Sequence, residues 1–181
     1  MPWQIDSVHS FIQFSVRHLM ISTARGRFEK FSGSVDFDEN DPTTGTVDIH
    51  IDVASINTNE AQRDAHLRSP DFFEVDKYPT MTFKSKRIEK IGDRHGRIIG
   101  DLTIKGITKE VVLEAEYAGT VKTPFGTTSA GASATAKISR KEWGLTWNMA
   151  LEAGGVAVSD EVKIEIELEL VKQEQPALVM A

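Results

Sequence analysis

The chain has 181 residues, no cysteine and a formal net charge of −6. This length suits one domain, which we expect over 1–172, followed by a flexible C-terminal tail over 173–181. The acidic balance argues against non-specific binding to nucleic acids or to anionic membranes, and the missing cysteines exclude disulfides and thiol catalysis. The first residues lack a signal-peptide pattern and no apolar run is long enough to span a bilayer, so we expect a cytoplasmic protein without stable membrane insertion.

Three amphipathic strands are predicted before residue 54. Apolar and polar residues alternate over 10–18, where Ile12, Phe14 and Val16 share a face with His18. The same alternation predicts a second strand over about 31–37 and a third over about 47–53. The turn signal N-D-P-T-T-G over 40–45 separates the last two.

One helix is predicted between the third and fourth strands. Asn57 is a good helix cap, Glu60 follows at capping-box spacing, and residues 60–68 contain no glycine or proline. Ser69 and Pro70 end the helix, because proline disfavours helical backbone at the residue before it. Phe72 and Phe73 then place two large rings directly after the turn.

Five further strands are predicted after the helix, over about 80–88, 100–104, 111–117, 129–136 and 156–171. The fourth of these five carries Ala130, Ala132, Ala134 and Ala136 on a single face. Alanine is depleted in strands and has little volume. The alanine face therefore predicts either a wall that leaves space or a wall that another element crosses closely.

Eight amphipathic strands with short turns predict an all-β fold in which neighbouring strands are antiparallel. They can close into an eight-stranded barrel with the helix as an insertion between strands 3 and 4. A two-sheet sandwich is the alternative, which the alternation does not exclude.

The motifs indicate no catalytic site and no metal site. The five histidines form no close ligand pair, and the chain has neither a G-x-S-x-G nor a phosphate-binding glycine motif. We therefore predict no catalytic residue, no metal ligand and no cofactor. Large aromatic residues occur in almost every element and face an alanine strand, which favours an elongated apolar cavity over an ordinary filled core.

Short motifs along the chain resemble those of the YceI-like family. They include W-x-I-D-x-x-H-S at 3–10, R-D-x-H-L-x-S-x-D-F-F at 63–73 and I-S-R-K-E-W-G-L-T-W-N at 138–148. The resemblance implies a lipocalin-like barrel with a tunnel for a polyisoprenoid chain, and it implies that homodimers occur. Many members carry a leader for the periplasm, and this sequence departs from them there.

The expected function is non-enzymatic binding of an isoprenoid lipid, with a polyprenyl or quinone-type chain, for transport or storage. The alternatives are a ligand-free, stress-related interaction module and an enzyme that acts on an isoprenoid. His18 and Arg63 are the candidates for holding a polar head group. The residues expected to line the cavity are Phe14, Val16, Phe72, Phe73, Phe83, Leu113, Tyr117, Ala132, Ala134, Trp143 and Trp147.

Overall fold

A computed structural model describes residues 3–38, 40–149 and 157–173. Eleven strands form one antiparallel sheet. A single α-helix is found among these residues, α1 at Ala61–Arg68, and short 3₁₀ helices occupy Val53–Ser55 and Arg140–Trp143. The strands are β1 Trp3–Ile5, β2 Phe11–His18, β3 Ser22–Phe28, β4 Phe31–Asp38, β5 Asp41–Asp52, β6 Ile56–Asn57, β7 Thr80–Lys90, β8 His95–Ile104, β9 Ile107–Lys122, β10 Thr127–Ser139 and β11 Glu161–Gln173.

The sheet closes on itself through the first and last strands. β1 pairs with β11 on one side and with β4 on the other, and β2 pairs with β11 further along. β1 with β2, β3 with β4, and β5 with β6 each form one strand position that is interrupted, so the eleven strands make an eight-stranded barrel. Closure confirms the predicted barrel and excludes the sandwich, because a sandwich would leave sheet edges unpaired.

β3 is a strand that the hydrophobic alternation does not predict. Its inward face carries Ala24, Gly26 and Phe28, so two of the three positions add little apolar volume. A Cβ at Gly26 would lie 2.4 Å from Cζ of Phe14. The Phe14 ring therefore requires a glycine at position 26. Because glycine has no apolar side chain, it interrupts the alternation by which β3 would be predicted.

The helix forms where predicted, but its cap is Glu60. The Glu60 carboxylate accepts hydrogen bonds from the N–H groups of Gln62 and Arg63. The predicted cap at Asn57 is wrong, because the Asn57 side chain accepts instead from the N–H of Asn59, at 2.8 Å, before the helix starts.

The interior is filled at one end of the barrel, which we call the closed end and define by Trp3, Phe37 and Tyr117. The Trp3 and Phe37 rings stack with centroids 5.3 Å apart, and Tyr117 meets Phe37 edge-on at 5.7 Å. Ala132 is the direct cross-strand partner of Tyr117. The small side chain of Ala132 therefore leaves room for the Tyr117 ring of the neighbouring strand.

The opposite end of the barrel carries α1, the β2–β3 turn and Trp147, and we call it the open end. β11 extends to residue 173, so the predicted tail starts too early, and 174–181 lie outside the described residues. The predicted start of the last strand, at 156, also lies outside them. No helix in the described part of the chain has the length and apolar character needed to cross a bilayer.

Candidate ligand-binding cavity

The open half of the barrel encloses a cavity of about 470 Å³. Its wall is formed by inward-facing apolar residues of most strands, and α1 with the turn after it forms a roof. Pockets that enclose drug-sized ligands have volumes of roughly 300–1,000 Å³. The cavity is therefore large enough for a small apolar molecule or for part of a longer chain.

The structure places nine of the thirteen candidate residues on the cavity wall, and the phase of the strand alternation explains why. On β2, for example, the positions that share a face with buried Ile12 all turn inward. Whether each residue binds a ligand stays a prediction. The nine are Phe14, Val16, His18, Arg63, Phe72, Phe73, Phe83, Leu113 and Trp147.

The other four candidates do not line the cavity, and this corrects the expectation for them. Tyr117 packs against Phe37 at the closed end, and Ala132 lies opposite Tyr117. Ala134 is buried between its cross-strand partners Ala115 and Ile166. Trp143 is fully buried, and its indole Nε1–H donates to the Leu102 carbonyl at 2.9 Å, so its role is to anchor the 3₁₀ helix to β8.

Three rings meet at the roof of the cavity. The His66 ring lies edge-on to Trp147, with centroids 4.6 Å apart, and edge-on to Phe72 at 5.1 Å. Nε2 of His66 is 2.9 Å from a carboxylate oxygen of exposed Asp71, which orients the imidazole. His66 was not among the candidate residues, although the H-L-x-S-x-D spacing that brings it to Asp71 was visible in the sequence.

Arg63 is held in place by hydrogen bonds to Thr58, which precedes α1. Its Nε donates to the Thr58 hydroxyl at 2.8 Å and its Nη2 donates to the Thr58 carbonyl at 2.6 Å. The buried Asp64 carboxylate accepts from the Thr58 N–H at 2.9 Å. These bonds fix the position of the Arg63 guanidinium at the edge of a cavity whose wall is mainly apolar.

The His18 imidazole lies half-buried on the cavity wall at the end of β2. It has no hydrogen-bond or ion partner among the residues that the structure describes. Polar side chains in such positions normally have partners, so His18 is well placed to bind a polar group of a ligand.

Arg140 is a buried cation at the open end that sequence reasoning missed. Its guanidinium donates to the carbonyls of Leu145, Val158 and Ser159, and its carbon Cζ lies 6.0 Å from the Phe72 ring centroid. Burial lowers the pKa of this guanidinium from its ordinary value. Backbone carbonyls leave no residue pattern in a sequence. Only the fold therefore shows that Arg140 connects the segment at Leu145 with the segment at Val158 and Ser159.

No carboxylate lines the cavity within the described ranges. The conspicuous carboxylate cluster lies outside it, where Nδ1 of His9 is 2.8 Å from Asp6 and 3.2 Å from Glu169. The hydrogen bond with Asp6 raises the pKa of His9 and lowers that of Asp6. Such atoms could ligate a metal ion, but hydrogen bonding and charge already explain their contacts. The sequence did not reveal the group, because Glu169 is distant along the chain.

Comparisons with known proteins agree with the fold. The chain is 39% identical over 165 residues to the UPF0312 protein SA2479 of Staphylococcus aureus, which covers 91% of this chain and 94% of that protein. The crystal structure of Burkholderia cenocepacia BcnA superimposes with a TM-score of 0.79 at 25% identity, over 93% of this chain and 99% of that one.

Two further solved structures are similar. The Campylobacter jejuni YCEI protein gives a TM-score of 0.74 at 37% identity, covering 87% of this chain and 90% of that one. A polyisoprenoid binding domain from Saccharophagus degradans gives 0.65 at 18% identity, over 93% and 97%, which shows the fold alone. The family model for the YceI-like domain matches residues 3–170, so this chain belongs to the YceI-like family.

Proposed function

We propose that the chain is a non-enzymatic carrier or store for an isoprenoid lipid, whose polyprenyl or quinone-type chain occupies the cavity. The observation that carries the proposal is an apolar space of about 470 Å³ inside a closed barrel. Binding would be driven by removal of the chain from water, at roughly 25 cal/mol per Å² of apolar surface. The Saccharophagus degradans relative, described as a polyisoprenoid binding domain, supports this ligand class.

The polar groups on the wall favour one orientation of the ligand. His18 and Arg63 both lie at the open end, whereas the opposite end is filled by the Trp3, Phe37 and Tyr117 rings. A lipid would therefore enter with its chain towards the closed end and leave its head group near His18. A quinone carbonyl or a phosphate oxygen could accept a hydrogen bond from the imidazole.

The two alternative functions have less support. An enzyme that acts on an isoprenoid would need acid and base groups directed at one point, and no carboxylate of the described chain lines the cavity. A ligand-free interaction module would have a filled core in place of this space. Cytoplasmic location, a homodimer, the absence of a cofactor and the choice between transport and storage stay predictions.

The test is organic extraction of the protein purified from its native host, with mass spectrometry of the extract and native mass spectrometry of the complex. Leu113 lies on the wall and is buried, so Leu113→Trp should fill the cavity and remove the bound lipid. Val112 is the next residue on the same strand, and it is 46% exposed. Val112→Trp is therefore the matched control and should retain the lipid.

The expected result is one isoprenoid lipid per chain in the wild type and in Val112→Trp, and a loss of at least tenfold in folded Leu113→Trp, about 1.4 kcal/mol. An apo mass for the wild type, with no uptake of added polyprenol or quinone, would overturn the proposal. Equal lipid content in the two folded variants would show that the lipid binds elsewhere.

A further inference from the structure

The turn between β2 and β3 exposes three consecutive apolar side chains at the open end. Leu19 is 40% exposed, Met20 is 58% exposed and Ile21 is 79% exposed. Met149, which is 59% exposed, is connected to the same region, because its carbonyl accepts from the N–H of Ala157. Isolated exposed apolar residues are common, but three consecutive ones at a turn indicate an interaction surface.

The turn is held in place next to the cavity. Leu19 and Met20 have positive φ angles of 51° and 63°, as in a tight hairpin turn. The Leu19 N–H donates to the Ala157 carbonyl at 2.8 Å, and His18 forms a bridge with Val158. Since Ala157, Val158 and His18 all line the cavity, the apolar tip stands directly beside its wall.

The hairpin is also basic, although the chain as a whole is acidic. Residues 11–28 include Arg17, Arg25 and Arg27 and no aspartate or glutamate, in a chain with a net charge of −6. Arg27 is paired with Glu29, but no carboxylate of the described residues pairs with Arg17 or Arg25. Both of these arginines are exposed, and Arg17 donates to the Thr23 hydroxyl and to the Met20 carbonyl.

We propose that the β2–β3 hairpin docks on an anionic lipid bilayer, with Leu19, Met20 and Ile21 inserted among the head groups. Arg17 and Arg25 contact lipid phosphates, and the docked orientation points the open end of the cavity at the membrane. The inference rests on the proposed function, since it gives the lipid a path between bilayer and barrel. The overall negative charge opposes unspecific adsorption, so docking is confined to this hairpin.

A second copy of the chain fits the surface less well. A stable interface buries about 800 Å² per partner, which is more than a three-residue tip offers. Two basic hairpins brought together would also repel each other. An anionic bilayer fits both the small area and the positive charge of the hairpin, because it attracts the arginines and accepts a small apolar tip by insertion.

The test is flotation of the purified protein with vesicles of phosphatidylcholine alone or with about a quarter of phosphatidylglycerol. Ile21→Asp should reduce the fraction bound to the anionic vesicles about tenfold, and Arg17→Gln about fivefold, since an arginine near an anionic surface contributes about that factor. Phe125→Asp is the matched control. Phe125 is 87% exposed at the other end of the barrel, so this variant should bind like the wild type.

Tip-dependent binding that is stronger on anionic vesicles supports the proposal. Equal flotation of Ile21→Asp and Phe125→Asp would overturn it, and so would a wild type that does not float. A change of oligomeric state in Ile21→Asp, with no change in flotation, would assign the surface to a second copy. Lipid extracted from the same variants separates the two proposals, because failed docking with retained lipid leaves the carrier function intact.

Discussion

The two ends of the barrel use large side chains in opposite ways. At the closed end, the Trp3, Phe37 and Tyr117 rings contact one another beside the alanine face of β10 and fill the interior. At the open end, the Phe72 and Trp147 rings also contact each other, with centroids 5.4 Å apart, yet they border the cavity. The difference shows that aromatic content does not decide whether a barrel is filled. The position of the rings decides whether the interior is filled. The rings of the open end belong to the roof over the cavity and do not point into its centre from the strands.

Removing a ring at the closed end should have the largest effect on stability. Trp3 is 3% exposed and stacks on Phe37, so Trp3→Ala leaves a void among packed rings. We expect the free energy of unfolding to fall by about 3–5 kcal/mol. Urea unfolding followed by circular dichroism measures the loss, and the bound lipid should be unaffected because Trp3 does not line the cavity.

The exposed ring at the same end provides the comparison. Phe125 is 87% exposed, so Phe125→Ala should change the free energy of unfolding by less than about 0.5 kcal/mol. Similar losses for the two variants would contradict the description of the closed end as a packed region.

The sequence predicts only part of the difference between the two ends, because a residue pattern reports contacts within a short stretch of the chain. Alternation along a strand fixes which side chains face inward, and so it identified Phe14, Val16 and Leu113 on the cavity wall. It does not say what stands opposite them. That Ala132 faces Tyr117 depends on pairing between strands, and that Gly26 makes room for Phe14 depends on β3 lying beside β2.

The role of Arg140 at the open end is not predictable from the sequence for a related reason. Arg140 is fixed by backbone carbonyls, and a carbonyl is present at every residue whatever its type. No residue pattern therefore marks its partners. The H-L-x-S-x-D-F-F motif did mark the roof, because its members contact one another within one short segment of the chain.

Enlarging a side chain should have opposite consequences at the two ends, with a smaller effect than the loss of Trp3. Ala134 is buried between Ala115 and Ile166 of the neighbouring strands, so Ala134→Phe should lower the free energy of unfolding by about 1–3 kcal/mol through overpacking. Ala134 is predicted from the sequence to line the cavity, whereas the structure does not place it on the cavity wall. Leu113→Trp enters the empty volume and should cost less than Ala134→Phe in the same urea measurement.

Lipid content completes that comparison. Ala134→Phe should retain bound lipid when folded, whereas Leu113→Trp should lose it. A stable Ala134→Phe variant without lipid would show that the cavity extends along β10 from Ile138 to Ala134.

The smallest expected effect on stability concerns the loop between β1 and β2, which connects the closed end of the barrel to the open end. Here His9 contacts Asp6 and Glu169, and the hydrogen bond with Asp6 raises the pKa of His9 and lowers the pKa of Asp6. Because the folded His9 keeps its proton to higher pH, its contribution is complete below the pKa of an ordinary histidine, about 6.5, and disappears as the pH rises through the folded value. The contribution of Asp6 is present above the ordinary carboxyl pKa of about 3.9 and is lost as the pH falls through the lower folded value.

The pair should therefore stabilise the junction most between about pH 4 and pH 6.5. We expect His9→Ala to unfold at lower urea concentration than the wild type at about pH 5.5, with a difference that shrinks as the pH rises through the folded pKa of His9. A difference for His9→Ala that stayed constant with pH would mean that packing of the loop, and not its charges, joins the two halves.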